Sequence, residues 1–166
     1  NINDLEWALQ LQTQQDARFS SAGGGYFRAA KTEADLIVRE MPDYDGARPS
    51  GNSVSALNLL RLYGFSGDAR YLRAAEGVFK AVGRSLTRGT TSQPKLLSAL
   101  DYYLDRDLQI VLAGAPSATS ELFRGSLGKY WMPNRVIGYQ DPSHPPSTYG
   151  MMEGKGLLKG RPTAYV

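Results

Sequence analysis

The sequence predicts a mainly α chain, part of an α/α toroid, followed by a small α/β element. Three observations carry that expectation. One helical segment, Ser53 to Leu62, is apolar round most of its circumference, the pattern of a helix buried on several sides. The next, Asp68 to Leu86, is apolar on one side only. A buried helix followed by a one-sided partner is what an inner and outer toroid pair requires, although a helical-repeat array produces the same pattern. Beyond residue 106 the helical periodicity gives way to strand, helix, strand. The expected division is therefore residues 1–106 for the helical hairpins and 107–166 for a βαβ-type element of the same domain.

In order along the chain, Ile2, Leu5, Leu9 and Gln12 fall near one face with Trp7 and Leu11 beside it, an amphipathic helix expected to end near Asp16. "SSAGGGYF" then breaks it. Three consecutive glycines accept positive φ angles and close backbone approach, so a tight loop should feed Tyr26 and Phe27 inward. "TEADLIVRE" reads as a short strand or an extended edge. Pro49 forces Arg48 away from helical angles, and Ser50 or Asn52 is available to cap the helix that follows. In that helix Val54, Ala56, Leu57, Leu59, Leu60 and Leu62 leave only Ser55, Asn58 and Arg61 as a polar stripe. Gly64 is expected at its C-terminal cap and Asp68 at the next N-cap.

The one-sided helix repeats Tyr71, Leu72, Ala75, Val78, Phe79, Val82 and Leu86 at three- and four-residue steps, with Arg70, Arg73, Glu76, Lys80 and Arg84 facing away. A further helix, "SQPKLLSALDYYL", brings Leu96, Leu97, Leu100 and Leu104 to one face. "LQIVLAG" is a short apolar strand, "SATSELFRGSLGKYW" a helix with Leu122, Phe123, Leu127 and Tyr130 on one side, and "NRVIGYQD" a second strand. That order implies a right-handed crossover and a small parallel sheet. "TAYV" is a candidate further strand, and "DPSHPPSTYG" is a Pro-rich loop.

The 166 residues, 42% hydrophobic and 21% charged, suit one ordinary globular domain. The net charge is only +3, with Lys and Arg spread singly. Nucleic acid is not an expected partner, because a phosphate-binding face needs clustered cations. No apolar run approaches the roughly 18 residues of a membrane span, and the first residues lack the pattern of a signal peptide, so no membrane partner is expected. The absence of cysteine removes disulfides, thiol nucleophiles and thiolate metal sites and fits a cytoplasmic location. Both ends read as cut: Asn1 enters directly into a helical pattern and the chain stops on the β-prone "RPTAYV", so a fragment of something longer is expected.

His144, the sole histidine, lies in "PSHPP" without a second His or Cys. This argues against a metal site and against a Ser-His-Asp nucleophile, for which there is also no "GxSxG" elbow. The glycine of "VLAGAPS" follows a strand and precedes a helix, a phosphate-friendly place, but one Gly is neither "GxGxxG" nor a P-loop. No cofactor is expected. The carboxylates carry more. Glu40, Asp43 and Asp45 lie within six positions, ahead of the buried helix, with Arg39, Tyr44, Arg48, Ser50 and Asn52 beside them. Paired carboxylates serve acid/base and oxocarbenium-stabilising roles in glycoside chemistry, and Tyr, Arg and Asn bind sugar hydroxyls. The same residues also suit a turn at Asp45 and Gly46 and a helix cap at Ser50 or Asn52, the reading that composition alone favours.

"YDGARPSGNSVSALNLLRLYGFSGD" resembles the hallmark segment of the thioredoxin-domain-containing, spermatogenesis-associated protein family and its bacterial relatives. The match continues in order through "GGGYF", "ADLIVRE", "PKLLSALDYYL", "QIVLAG", "YWMPNRVI" and "TAYV", essentially the whole chain. The resemblance implies an (α/α)6 barrel similar to six-hairpin glycosidases and N-acylglucosamine 2-epimerases, preceded in the full-length protein by a thioredoxin-like domain with a cysteine motif. Ser20 and Ser21 stand where many relatives have an acidic residue near the Gly-rich loop, and Glu40 and Met41 where a Lys follows the Arg of "IVR". Epimerase-like barrels use histidine for proton transfer, and no helix here supplies one.

Two expectations of function follow. In the first, the barrel is carbohydrate-related, with a sugar as ligand: Asp45 is catalytic, and Tyr26, Tyr44, Arg48, Ser50 and Asn52 bind substrate where the inner helix begins. In the second, it is a non-catalytic scaffold or client-binding module partnering the thioredoxin-like domain. "DGARPSGNS" can also be purely structural.

Overall fold

The computed structural model describes residues 2–32, 38–87, 90–105, 107–144 and 149–166. The chain is mainly helical with a small sheet near its end. Helix α1 runs Ile2–Phe19, past the expected stop at Asp16; nothing in "DARF" breaks a helix, and the chain turns only where Ser20 bridges Tyr26. Trp7 stays 64% and Leu11 47% exposed on it. The glycine loop turns as its composition demands, with φ of +93° at Gly24 and +73° at Gly25. Gly24 has a second reason to be glycine, since a Cβ there would overlap the main chain of Gly77. Tyr26 is buried and Phe27 half-buried. Of the strand or edge expected over "TEADLIVRE", residues 33–37 lie outside the described residues, and Val38 to Glu40 are not in a strand.

Helix α2, Gly51–Ser66, is the axis of the helical layer. Ser50 caps it, its Oγ accepting the Ser53 N–H at 3.0 Å. The helix passes Gly64 and stops at Gly67, whose φ of +71° and N–H to the Tyr63 carbonyl make the left-handed cap. Gly64 is therefore not the cap. It is buried, with the Asp107 carboxylate and Val136 Cγ2 pressed against the place a Cβ would occupy, so its smallness lets the sheet approach the helix.

Helix α3, Ala69–Val82, is capped by Asp68, which accepts the Arg70 N–H at 2.9 Å. It buries Ala75, Val78 and Val82 and continues as a 3-10 turn over Gly83–Thr87. Helix α4, Pro94–Asp105, buries Leu96, Ala99 and Tyr102, while Leu104 is 70% exposed. The expected leucine face is thus rotated: the small Ala99 and the aromatic Tyr102 enter the core, and the leucine spacing alone did not register them.

Strand β1 (Leu108–Ala113) pairs in parallel with β2 (Arg135–Gln140), from Leu108 opposite Arg135 to Ala113 opposite Gln140. Helix α5, Pro116–Gly125, lies between them in sequence, as the strand–helix–strand order predicts. Strand β3, Thr163–Tyr165, adds to the other edge of β1 in antiparallel sense. Tyr130 does not share the inner side of α5: the helix ends at Gly125, and Tyr130 and Trp131 stand 69% and 90% exposed after a short 3-10 turn. One apolar cluster joins Leu57, Leu59 and Leu60 of α2 to Val78, Leu96, Val111, Val136, Met151 and Met152.

Replacing Gly24 by Ala should cost about 3 kcal/mol or more, because it combines an unfavourable φ with an overlap against main chain. Chemical denaturation of G24A beside the parent chain would measure it; an unchanged midpoint would show that the Gly24–Gly77 contact is not required.

Candidate functional site

The stretch before α2 is held by side chains that reach main chain from other parts of the sequence. Asp45 is buried. Its Oδ1 accepts the Ser50 N–H at 2.7 Å, and its Oδ2 accepts the N–H groups of Lys95 at 2.8 Å and Leu96 at 3.3 Å. The latter two belong to the first turn of α4, whose N–H groups have no partner within the helix. The carboxylate is thus the cap of α4, supplied from fifty residues upstream, and it also closes the turn onto the Ser50 cap of α2. Burial by itself would raise the Asp45 pKa, but the bonds from Ser50, the Ser53 hydroxyl, Lys95 and Leu96 outweigh it and hold the carboxyl below the ordinary aspartate value.

Asn52, fully buried, acts in the same way. Its Oδ1 accepts the Tyr26 N–H at 2.8 Å, and its Nδ2 donates to the carbonyls of Tyr26 and Pro42, both at 2.9 Å. One amide thereby fastens the glycine loop and the following segment to the start of α2. Gln93, also fully buried, donates to the carbonyls of Asp43 and Val82. The Tyr26 hydroxyl faces away from this knot, donating to Asp16 at 2.6 Å and accepting from Gln12 at 3.0 Å. Burial and then the Asp16 carboxylate push its pKa well above the usual tyrosine value, so the phenol stays protonated.

Among the residues singled out in the sequence, the structure gathers Asp45, Ser50 and Asn52 at the N-terminus of α2, with Tyr26 joined to Asn52 through its main chain. Tyr44 and Arg48 are on the exposed side of the loop. The three carboxylates do not converge: Glu40 pairs with Arg28 at 2.9 Å on the surface and Asp43 is exposed, whereas Asp45 is inside. Among the described residues, no group of three or more His, Cys, Asp or Glu side chains is placed to hold a metal ion. His144 is exposed, 3.6 Å from Asp141.

A second concavity lies elsewhere. A cleft of about 620 Å³ runs between α1, α2 and β2. Leu5, Leu11, Leu62 and Met152 form apolar wall, Asp4, Gln12, Gln15, Asn58 and Arg61 supply polar groups, and Tyr139 also lines it. Gln15 crosses from α1 to the Ser55 hydroxyl of α2 at 2.7 Å. The sequence shows Ser55, Asn58 and Arg61 as the polar stripe of α2, spaced to lie on one helical face; that this stripe faces a cleft required knowing where α1 lies.

The fold and these sites define a class first: a mainly helical module with a small mixed sheet, whose most distinctive polar stretch is built into its own helix junctions. No protein-family model matches the chain. It is similar to spermatogenesis-associated protein 20 of rat and of human, at 39% identity over 137 residues in each case, which is 80% of this chain. An uncharacterised protein of Caenorhabditis elegans is 34% identical over 114 residues. This homology supports the family that the quoted motifs resemble. The chain spans 17% of the length of the mammalian relatives it matches.

The sign of the Asp45 shift sets a pH window. Its folded pKa is depressed, so its contribution is present above the unfolded value of about 3.9 and is lost as pH falls through the folded value. The parent chain should lose stability below about pH 4, and Asp45→Asn should remove that part of the acid response. At neutral pH, Asp45→Asn should cost about 1–3 kcal/mol, and Asn52→Ala about 2–4 kcal/mol because it strands the Tyr26 main-chain groups. Denaturation midpoints between pH 3 and pH 7 test both; identical acid profiles for parent and D45N would refute the capping role.

Proposed function

We propose that the chain is a non-catalytic scaffold segment of a longer protein like spermatogenesis-associated protein 20. In this reading its helices belong to an α/α toroid, and the α1–α2 cleft seats the thioredoxin-like portion of the same protein. The cleft carries the reading: its largely apolar walls span two helices with the Gln15–Ser55 bond between them, and Leu11 in its lining remains about half exposed. Apolar surface of that kind is where protein partners bury area. The knot at Asp45 supports the same reading from the other side. A carboxylate that accepts three main-chain N–H groups could act as an acid only by releasing the start of a helix, a cost that a general acid or base at an open site does not carry. The cysteine-free composition fits a cytoplasmic setting.

A carbohydrate-related pocket is the second reading, moved from Asp45 to the cleft. There the amides of Gln12, Gln15 and Asn58 and the Arg61 guanidinium stand near the rings of Phe65 and Tyr139, groups suited to sugar hydroxyls and to the apolar face of a sugar ring.

With the 166-residue chain and the thioredoxin-like portion of its full-length protein purified separately, calorimetry should detect association, and Leu11→Glu should weaken it about tenfold or more. No association of the parent chain would refute the scaffold reading. A thermal shift with neutral, amino or uronic sugars that is lost in Asn58→Ala would favour the sugar pocket instead.

A further inference from the structure

Open sheets with parallel strands take ligands in the crevice beyond the carboxyl ends of those strands, where the main chain diverges to either side. β1 and β2 both end at such a place. A crevice of about 450 Å³ there is lined by Gly114 just after β1, Gln140 at the end of β2, His144, and the segment Gly154 to Leu157. It is separate from the α1–α2 cleft and from the Asp45 knot.

Two features of this crevice are not explained by folding. The first is its charge. Among the described residues, Lys155 and His144 are the ionisable side chains in the lining, and no carboxylate lines it. Asp141 beside it accepts the Ser143 N–H at 2.9 Å and hydroxyl at 2.7 Å through Oδ1, and its Oδ2 lies 3.6 Å from the His144 ring, which leaves Lys155 as the cation of the lining without a carboxylate across from it in the lining. Lys155 is held rather than loose: its Nζ lies 5.0 Å from the centre of the Tyr165 ring, and the Tyr165 hydroxyl is anchored on the Gly156 carbonyl at 2.7 Å. A cation held over an aromatic face at the rim of a concavity is already placed for an anion.

The second feature is Gly156. Gly114, with φ of +154°, is packed against Pro162 and Thr119, and Gly154 needs its φ of +70°. Gly156 has neither reason: a Cβ there would meet nothing within 4 Å, and its φ lies outside the left-handed range. A glycine that neither conformation nor packing requires leaves main chain open to close approach by something else, the role glycines have where backbone meets a ligand.

We propose that this crevice binds a small oxyanion, the phosphate or carboxylate group of a small molecule, between Lys155 and the glycine main chain of residues 154 and 156. Lys155 supplies the fixed charge, while the two glycines let the anion reach the backbone.

The test is a titration of the 166-residue chain with inorganic phosphate, and separately with succinate, each against sodium chloride at matched ionic strength, followed by the amide resonances of Gly154 and Gly156. Saturable shifts at those glycines are expected, about tenfold weaker in Lys155→Met, restored in Lys155→Arg and unchanged in Lys129→Met. Tighter binding of phosphate assigns a phosphate ligand; tighter binding of succinate assigns a carboxylate. Shifts that match chloride, that persist undiminished in K155M, or that fall equally in K129M would overturn the proposal.

Discussion

The carboxylate of Asp45 sits where two helices begin, and its oxygens face main-chain N–H groups that neither helix can satisfy for itself. A helix start buried without such partners costs a desolvation penalty for each orphaned donor. Here one side chain serves α2 through Ser50 and α4 through Lys95 and Leu96. Asn52 and Gln93 extend the same device to the glycine loop and to the segment after α3. Because all three side chains are buried, the loops they hold have few alternative positions.

From that fixed end the rest of the architecture follows. α2 is apolar on most sides and is enclosed by α3, α4 and the sheet, the last approaching closely at Gly64. α1 is attached differently. Side-chain bonds from Gln12, Gln15 and Asp16 hold its later turns near Tyr26 and Ser55, and its earlier turns form one wall of the cleft. The α2 junction is thus held by several buried bonds, whereas the earlier turns of α1 line an open cleft.

The two concavities proposed as binding places share no lining residue. One is large and mostly apolar, between helices; the other is smaller and cationic, at the end of the parallel strands. Their chemistry differs enough that one ligand class would not fill both. Neither coincides with the stretch that is most distinctive in the sequence. Residues that build a junction are constrained in identity as tightly as residues that bind a ligand, because Asp45 and Asn52 must each match several main-chain groups at once.

Much of the fold was legible in the amino acids: the all-round apolar pattern of α2, the one-sided pattern of α3, the Asp68 cap, and the β1–α5–β2 order are local signals, written within a few residues of where they act. The candidate site was legible in part. Ser50 reads as a cap because its partner, Ser53, is three residues away. Of the partners of Asp45 only Ser50 is near in sequence, whereas Lys95 lies fifty residues downstream, and those of Asn52 lie twenty-six and ten residues upstream, so the same side chains read also as the rim of a sugar site. The face of α4 and the role of Gly64 were misjudged for the same reason, since both are settled by what packs against them. Sequence alone determined the order of the elements and the local caps at Ser50 and Asp68, because those depend on short-range periodicity and hydrogen bonding. Only the tertiary structure decided which polar groups are spent on main chain and which line open space, because that depends on which distant segments are brought within about 3 Å of one another.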